Sequence, residues 1–591
     1  VWNTLHGHIL RFTDMSVHGS VLTDRLGIHV EPILIPLSLL YLIHAGPETL
    51  LVVQAFVVAT GAIPAYLLAR RALGPWPALA LPMAFLLHPS LQNAVLDDFH
   101  PVTLSAAFLL WAIFFALRGS LLPFGATALL ALTTKEDIGL LTGLLGLIFI
   151  IRHRLVFGLI VLVAGFAWFL ICVQVIIPSF NPAGHSPYLA RYRYLGHGFA
   201  GIVSGAIHHP ALVARVLIAP SRQGFLRDLL HPLGFTAVLG LPVFLLALPS
   251  LTLDMLSDDS RMYSGFYQYA AELVPFVVAA SAVGLSWLSA AARRRPVRGA
   301  AAAPAVLASL VALASLVATR EYGFSPLAYG YIVPSSGYHQ TIENGILHRI
   351  PPNSVVAAAD EIEPHLSDRR TIYLLPTVHP ANGPPARYIV LDASVPSLPV
   401  PPAALHRVVE RALASGYGIV TADDGVILLE RGKTNHRLPR SFYGFVFTSP
   451  SRATREHLAW GPIALQDVTV HPRSLFINRS RPAISLETWW RVTRAISHKV
   501  RIRFFMSPVY SHQHPAFSTA WRAVSGSPTL AWFPPWRWPK GGPIRVASLP
   551  LLPDVSRPGL VDIAIAVSGA GPLSGEPAPL LVRLATIRVG G

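Results

Sequence analysis

The sequence predicts an α-helical polytopic membrane bundle, followed by a small α/β domain and a C-terminal β-sandwich. Three observations predict it. Only 13% of the 591 residues are charged while 52% are hydrophobic, and the mean hydropathy is +0.51, against a charged share of about 25% in soluble domains. Before residue 319 the apolar residues collect into runs of about 20, the length that crosses a hydrocarbon core of about 30 Å. After it, short alternating segments punctuated by Pro and Gly take over, the pattern of strands. The expected domains are therefore 1–319, 320–440 and 441–591.

In the first domain the long runs are Leu50–Ala69, Leu155–Ile177, Leu233–Leu253, Ala271–Ala291 and Ala300–Ala318. Shorter ones, at Ala78–Val95, Val102–Leu117, Leu121–Thr133 and Ile138–Ile151, suit helices held inside a bundle. Ile33–Ile43 is too short to cross and reads as a re-entrant or interfacial helix, and Gly201–Ala219 crosses only if His208, His209 and Arg215 are tolerated. With that segment counted, about ten crossings put Arg70, Arg71, Arg118, Arg152, Arg154, Arg222, Arg227, Arg293, Arg294, Arg295 and Arg298 on one side, the cytoplasmic one by the positive-inside rule. The opposite loops carry Asp24, Glu31, Asp97, Asp98, Glu136, Asp137, Asp254, Asp258 and Asp259, and both later domains fall outside the cell.

Residues 338–435 read as an α/β unit. Strands are expected at Val355–Ala359, Thr371–Leu375, Arg387–Leu391, Gly418–Thr421 and Gly425–Leu429, with helices at Ile362–Leu366 and Ala403–Ala414. Alternation at Ile484–Trp490, Val500–Phe505, Ile544–Leu549, Val561–Val567 and Leu580–Val589 predicts the sandwich. The net charge of +16 divides as +5, zero and +11 over the three domains, so the basic excess belongs mostly to the last. Four tryptophans there, Trp521, Trp532, Trp536 and Trp538, lie near Arg522 and Arg537. Outside the cell that mixture fits anionic lipid or glycan, not nucleic acid.

Several chemistries are excluded. Cys172 is the single cysteine, so a disulfide framework, a cysteine zinc cluster and a CxxC redox site are ruled out. No GxxxxGK[ST], GxSxG or HExxH occurs. Gly196, Gly198 and Gly201 have GxGxxG spacing without a preceding strand, and Asn478–Arg479–Ser480 is a bare glycosylation sequon.

Four polar groups stand at the external helix ends. Asp97, Asp98 and His100 precede Pro101, where two acids beside an imidazole could hold a proton or a metal; capping is the plain alternative. Lys135, Glu136 and Asp137 precede Ile138, and three adjacent charges between apolar helices are costly without water or partners. Lys135 could pair with a phosphate, and Glu136 or Asp137 could orient a hydroxyl. Asp258, Asp259, Arg261, Tyr267, Gln268 and Tyr269 combine the acids, amide and cation that sugar hydroxyls and a phosphate require, although tyrosines at this depth also form interfacial belts. Arg191 and Arg193 could clamp a lipid-linked phosphate, or meet anionic headgroups without selectivity.

Taken in order, Trp2–Gly7, Asp98–Pro101, Lys135–Asp137, Arg193–Gly196, Tyr267–Tyr269 and Ile350–Val355 resemble a family of prokaryotic polytopic membrane proteins filed as a domain of unknown function and grouped with the GT-C glycosyltransferases. The resemblance covers about residues 1–435. It implies a GT-C fold in the cytoplasmic (inner) membrane, a polyprenyl-phosphate sugar donor, and a glycan or other envelope acceptor. It also implies inverting transfer with an external carboxylate as general base, for which Asp24 or Glu31 is the candidate here. Asp97, Asp98 and His100 would orient the acceptor, and Lys135 with Arg261 or Arg193 would stabilise the departing phosphate. The acid of such enzymes follows a first membrane helix. Because the chain starts at Val1, that helix and its Asp are expected to lie upstream of it. No ligand spacing demands a metal or other cofactor, though the acids could bind a divalent ion. The alternatives are a transporter or flippase for lipid-linked glycans, or an envelope assembly protein.

Overall fold

The computed structural model describes residues 1–17, 20–294, 302–328, 331, 333, 336–395, 397, 400–450, 458–471, 474–476, 484–496, 500–508, 521–524, 526–551, 559–569 and 581–590. Arg295, Arg298, Ala300, Leu580 and the Asn478 sequon lie outside them. Contacts divide the chain into two units, one of Val1–Phe12 with Leu22–Pro334 and one of Thr13–Val21 with Ser335–Gly591.

The first unit is helical. Among its described residues seven helices are long and apolar enough to cross a membrane: Pro47–Leu73, Pro77–Asp97, Pro101–Arg118, Leu155–Phe180, Thr236–Leu256, Gln268–Arg293 and Ala303–Tyr322. Two shorter apolar helices, Leu121–Leu132 and Ile138–Ile151, accompany them. Proline opens several of these helices, at the position where its missing N–H costs nothing. Gly119, at φ 72°, closes the Pro101 helix in the left-handed conformation that a side chain disfavours. The Pro101 and Gln268 helices are the most buried and form the centre, while the Leu155 helix turns Val156, Ile160 and Val163 outward, as a lipid-facing surface does.

Small residues let the Ile138 and Leu155 helices touch backbone to backbone. A Cβ on Gly165 would stand 2.4 Å from the Gly139 carbonyl oxygen and 2.5 Å from Gly143 Cα, and one on Gly158 would stand 2.5 Å from the Gly146 oxygen. This contact anchors the short helix whose N-terminal loop carries Lys135, Glu136 and Asp137.

Three local expectations are corrected. Gly201–Ala219 is not one straight helix: Gly198–His208 and Pro210–Leu217 meet at 89°. Pro210 cannot donate the next helical hydrogen bond and disfavours helix at His209, which sits at φ −120°, ψ 56°. The apolar run from Leu233 forms the helix Thr236–Leu256, with 3-10 segments at Thr236–Gly240 and Leu245–Ala247, but Arg222, expected across the membrane from Asp258, donates to the Ser257 carbonyl next to it at 2.9 Å, so the two lie on one side. Asp254, expected in a loop, lies in the last turn of that helix and is buried.

In the second unit a short hairpin of β1 (Ser16–Val17) and β2 (Ser20–Val21) precedes the α/β sheet. Thr13 Oγ1 donates to the Ile372 carbonyl at 2.7 Å, and the Asn382 amide brackets the Val21 backbone at 2.8 Å on both sides. The sheet contains β3 (Val356–Ala358), β4 (Ile372–Leu374), β5 (Tyr388–Asp392), β6 (Tyr417–Asp423) and β7 (Val426–Arg431), in the order β4-β3-β5-β7-β6. β3 runs parallel to β4 and β5, whereas β7 pairs antiparallel with β5 and β6. The expected helix at Ile362–Leu366 is a single 3-10 turn, Glu363–Leu366.

The remaining strands are β8 (Leu458–Trp460), β9 (Ile463–His471), β10 (Ser474–Phe476), β11 (Ser485–Val492), β12 (Arg501–Met506), β13 (Arg522–Val524), β14 (Gly541–Ala547), β15 (Gly559–Ser568) and β16 (Val582–Gly590). They form two sheets, β14-β11-β9-β8 and β10-β16-β15-β12-β13. Leu486 and Trp490 of one sheet, Phe504 and Ile563 of the other, and Ile389 of the α/β sheet belong to one continuous apolar core.

Candidate functional site

A cavity of about 310 Å³ in the helical unit has two unlike ends. His29, Lys135, Glu136, Asp137, Arg191 and Tyr269 line one part, and Phe169, Val173, Leu195, Phe199, Ile202 and Val203 line another. The bend at His209, which sequence reasoning did not foresee, belongs to the element that supplies Phe199, Ile202 and Val203 to this wall.

The charged end is built on the loop before Ile138. Glu136 is buried, accepts the Val30 backbone N–H at 3.1 Å and meets His29 Nδ1 at 2.9 Å. Burial opposes its charge, but the neighbouring His29 and Lys135 outweigh it and hold the carboxyl below its usual range. Lys135 Nζ donates to Asp137 Oδ2 at 2.5 Å and lies 3.8 Å from Glu272 Oε2. Burial also opposes the ammonium charge, yet the carboxylates of Asp137, Glu272 and Glu136 keep its pKa well above the usual value.

Arg191 joins this end through aromatic rings. Its guanidinium lies 4.5 Å from the Tyr188 ring centroid and 5.5 Å from that of Tyr269, donates to the Tyr269 hydroxyl at 3.1 Å, and approaches Asp259 Oδ2 at 3.4 Å. The Tyr188 ring stacks in turn on His29 with centroids 4.6 Å apart. Arg191 Nη1 meets Met262 Sδ at 3.3 Å, so the guanidinium is held on several sides at the mouth of the charged residues.

The other sequence candidates surround this arrangement. Asp24 Oδ1 caps the Leu26 N–H at 2.9 Å, and burial raises its pKa. Glu31, buried, accepts from Arg25 Nε at 2.8 Å. Asp97 and Asp98 are exposed, and Asp98 Oδ1 accepts the Phe99 N–H. The imidazole of His100 has a lowered pKa because burial outweighs the acids Asp98 and Glu31. Asp259 is held by Arg261 at 2.7 Å, which lowers the carboxyl's pKa, and the Asp258 N–H donates to the Arg191 carbonyl at 2.9 Å. Those residues brace the Arg191 segment. Tyr267 packs edge-on against Phe266, Gln268 opens the turn before the Glu272 helix, and Arg193 is exposed.

Sequence reasoning missed His29 and Tyr188, which line the cavity, Glu272, which stands 3.8 Å from Lys135, and Gln54, which holds the Asp98–His100 loop. Gln54 is fully buried; its amide donates to the Asp98 carbonyl at 2.9 Å and accepts the His100 N–H at 3.0 Å, so it fixes the whole Asp98–His100 loop. The signal was present for Gln54 and Glu272, each a lone polar side chain inside an apolar run.

A family model matches residues 1–428. The chain belongs to that family, Predicted membrane protein (DUF2079). This DUF2079 chain is a multi-pass membrane protein, and no curated protein matches it in sequence. Similar solved structures include ArnT from Cupriavidus metallidurans bound to undecaprenyl phosphate, at 14% identity and TM-score 0.35, covering 72% of this chain and 95% of that one. The apo form of the same ArnT is 13% identical at TM-score 0.34, with 73% and 97% covered. The oligosaccharyltransferase of Archaeoglobus fulgidus, tethered with an acceptor peptide, is 10% identical at TM-score 0.35, covering 100% of this chain and 92% of that one.

Proposed function

We propose that this protein is a membrane glycosyltransferase that moves a sugar from a polyprenyl-phosphate donor to a hydroxyl acceptor of the cell envelope. The observation that carries the reading is the two-ended cavity, in which paired cations and acids adjoin an apolar wall within one helical unit. An amphiphile with an anionic head and a hydrocarbon tail fits that polarity.

In this reading Arg191 and Lys135 receive the phosphate, and charge-assisted bonds to it strengthen as negative charge builds on the leaving oxygen. Glu136 accepts from His29 Nδ1, which leaves Nε2 to take the acceptor's proton. The acceptor oxygen forms its bond to the anomeric carbon, the lipid phosphate leaves with the electron pair of the broken bond, and configuration inverts. Asp24 and Glu31 then act in shaping the neighbouring loop, and Asp98 and His100 in presenting the acceptor. In this reading the site faces the extracytoplasmic side, opposite Arg70, Arg71, Arg118, Arg152, Arg154, Arg293 and Arg294, with Arg222 on the site's own side beside Ser257.

The test is transfer by the full chain reconstituted in liposomes with labelled polyprenyl-phosphate sugars and hydroxyl acceptors. Transfer that falls at least tenfold in R191A and in H29A supports the reading. Tight donor binding with no transfer by the unaltered chain would sink the enzyme and favour a carrier of lipid-linked sugars.

A further inference from the structure

We propose that the second unit carries a divalent-metal site built from His339, Glu343 and Asp392, with Asp424 as the group that orients the histidine. One ligand atom from each of His339, Glu343 and Asp392 lies within 4.8 Å of the others. Donors bound to one ion at about 2.0–2.2 Å stand roughly 3 Å apart, so small side-chain rotations close the set.

The elements explain the convergence. Helix Tyr338–Leu347 begins after Gly337, whose N–H donates to Gln340 Oε1 at 2.7 Å. His339 and Glu343, four residues apart on it, share one face. Asp392 ends β5 and is buried, with its Oδ1 fixed by the Ser394 N–H at 2.7 Å. Asp424 sits in the β6–β7 turn at φ 42°.

His339 lies between two carboxylates, Nε2 at 2.8 Å from Asp392 Oδ2 and Nδ1 at 2.9 Å from Asp424 Oδ2. A metal replaces the proton on Nε2, while Nδ1–H remains bonded to Asp424. This is the carboxylate–histidine–metal relation that fixes the tautomer and raises ligand basicity.

Two further observations favour a cation here. The first is position. β3 and β5 are parallel neighbours whose following connections leave in opposite directions, to β4 on one side and to β6 and β7 on the other. The crevice beyond the carboxyl ends of such a strand pair is where open α/β sheets bind ligands. The second is charge. Asp360 and Glu361 follow β3, and Glu361 Oε2 is a buried oxygen without a hydrogen-bond partner. One nitrogen and two carboxylate ligands suit Zn²⁺ or Mn²⁺, with water in the remaining positions.

The experiment is calorimetric titration of the purified full chain, stripped with chelator, with Zn²⁺ and with Mn²⁺. One ion of at least one metal is expected per chain. Affinity should fall at least tenfold in E343Q and H339A, and by about 10–100-fold in D424N, which removes only the orienting carboxylate. E343Q alters a half-buried side chain with no loss of volume, and circular dichroism of each variant checks that the fold survives. No stoichiometric binding of either metal, or folded E343Q and D424N binding like the parent, would overturn the proposal. None of these results depends on glycosyl transfer.

Discussion

Replacement of Glu136 by glutamine separates the electrostatic part of the site from its shape. Glu136 is buried and accepts two hydrogen bonds, from His29 Nδ1 at 2.9 Å and the Val30 N–H at 3.1 Å. Glutamine keeps the volume and one carbonyl acceptor but loses the charge. Hydrogen bonds to a charged group contribute about 1.5–3 kcal/mol each, so E136Q should lower the stability of the helical unit by roughly 2 kcal/mol. E136A, which leaves His29 and the Val30 N–H without a partner, should cost about 3–5 kcal/mol.

The pH dependence gives a second readout. The folded carboxyl has a lowered pKa, so the unfolded chain binds this proton more readily. The stabilisation is therefore fully present above the ordinary carboxylate range and is lost as pH falls through the folded value. Thermal unfolding in detergent, followed by tryptophan fluorescence between pH 7 and pH 3, should give E136Q a lower Tm at pH 7 and a shallower acid decline. A Tm equal to the parent's at pH 7, with the same acid decline, would refute the role assigned to the charge.

Three further outcomes are expected. R191K keeps a charge but not the planar fork that lies over the Tyr188 ring and donates to the Tyr269 hydroxyl, so binding of polyprenyl phosphate to liposome-reconstituted protein should weaken at least tenfold in both R191K and R191A. G165A places a methyl 2.4 Å from the Gly139 carbonyl oxygen and should cost about 1–3 kcal/mol in thermal or denaturant unfolding, with transfer falling as the Lys135 loop shifts. Q54L removes the amide that holds Asp98 and His100, and should raise proteolysis or hydrogen exchange of that loop while leaving helix content unchanged by circular dichroism.

Much of the fold was legible because its causes are local in sequence. Runs such as Leu50–Ala69 and Leu155–Ile177 must find an apolar surrounding, and prolines at 47, 101 and 220 mark where helices start. Alternation placed β11, β12, β14, β15 and β16 within a few residues, since one face of each strand is buried. The sequence alone likewise determined that Lys135, Glu136 and Asp137 are too polar for their surroundings to stand without partners.

Which partners they find was decided by the tertiary structure. His29, the Tyr188–Arg191 segment and Tyr269 come from three distant stretches of the chain, and only the tertiary structure brings them to one cavity with Lys135, whose Nζ lies 3.8 Å from Glu272 Oε2. The same holds for His339, Asp392 and Asp424, which ordinary helix and strand patterns conceal until the sheet order sets them together. Periodicity reports which face of an element is buried. It carries no record of what that face meets, because the meeting depends on non-local contacts such as the glycine seam between Gly139 and Gly165 and the bend that Pro210 imposes.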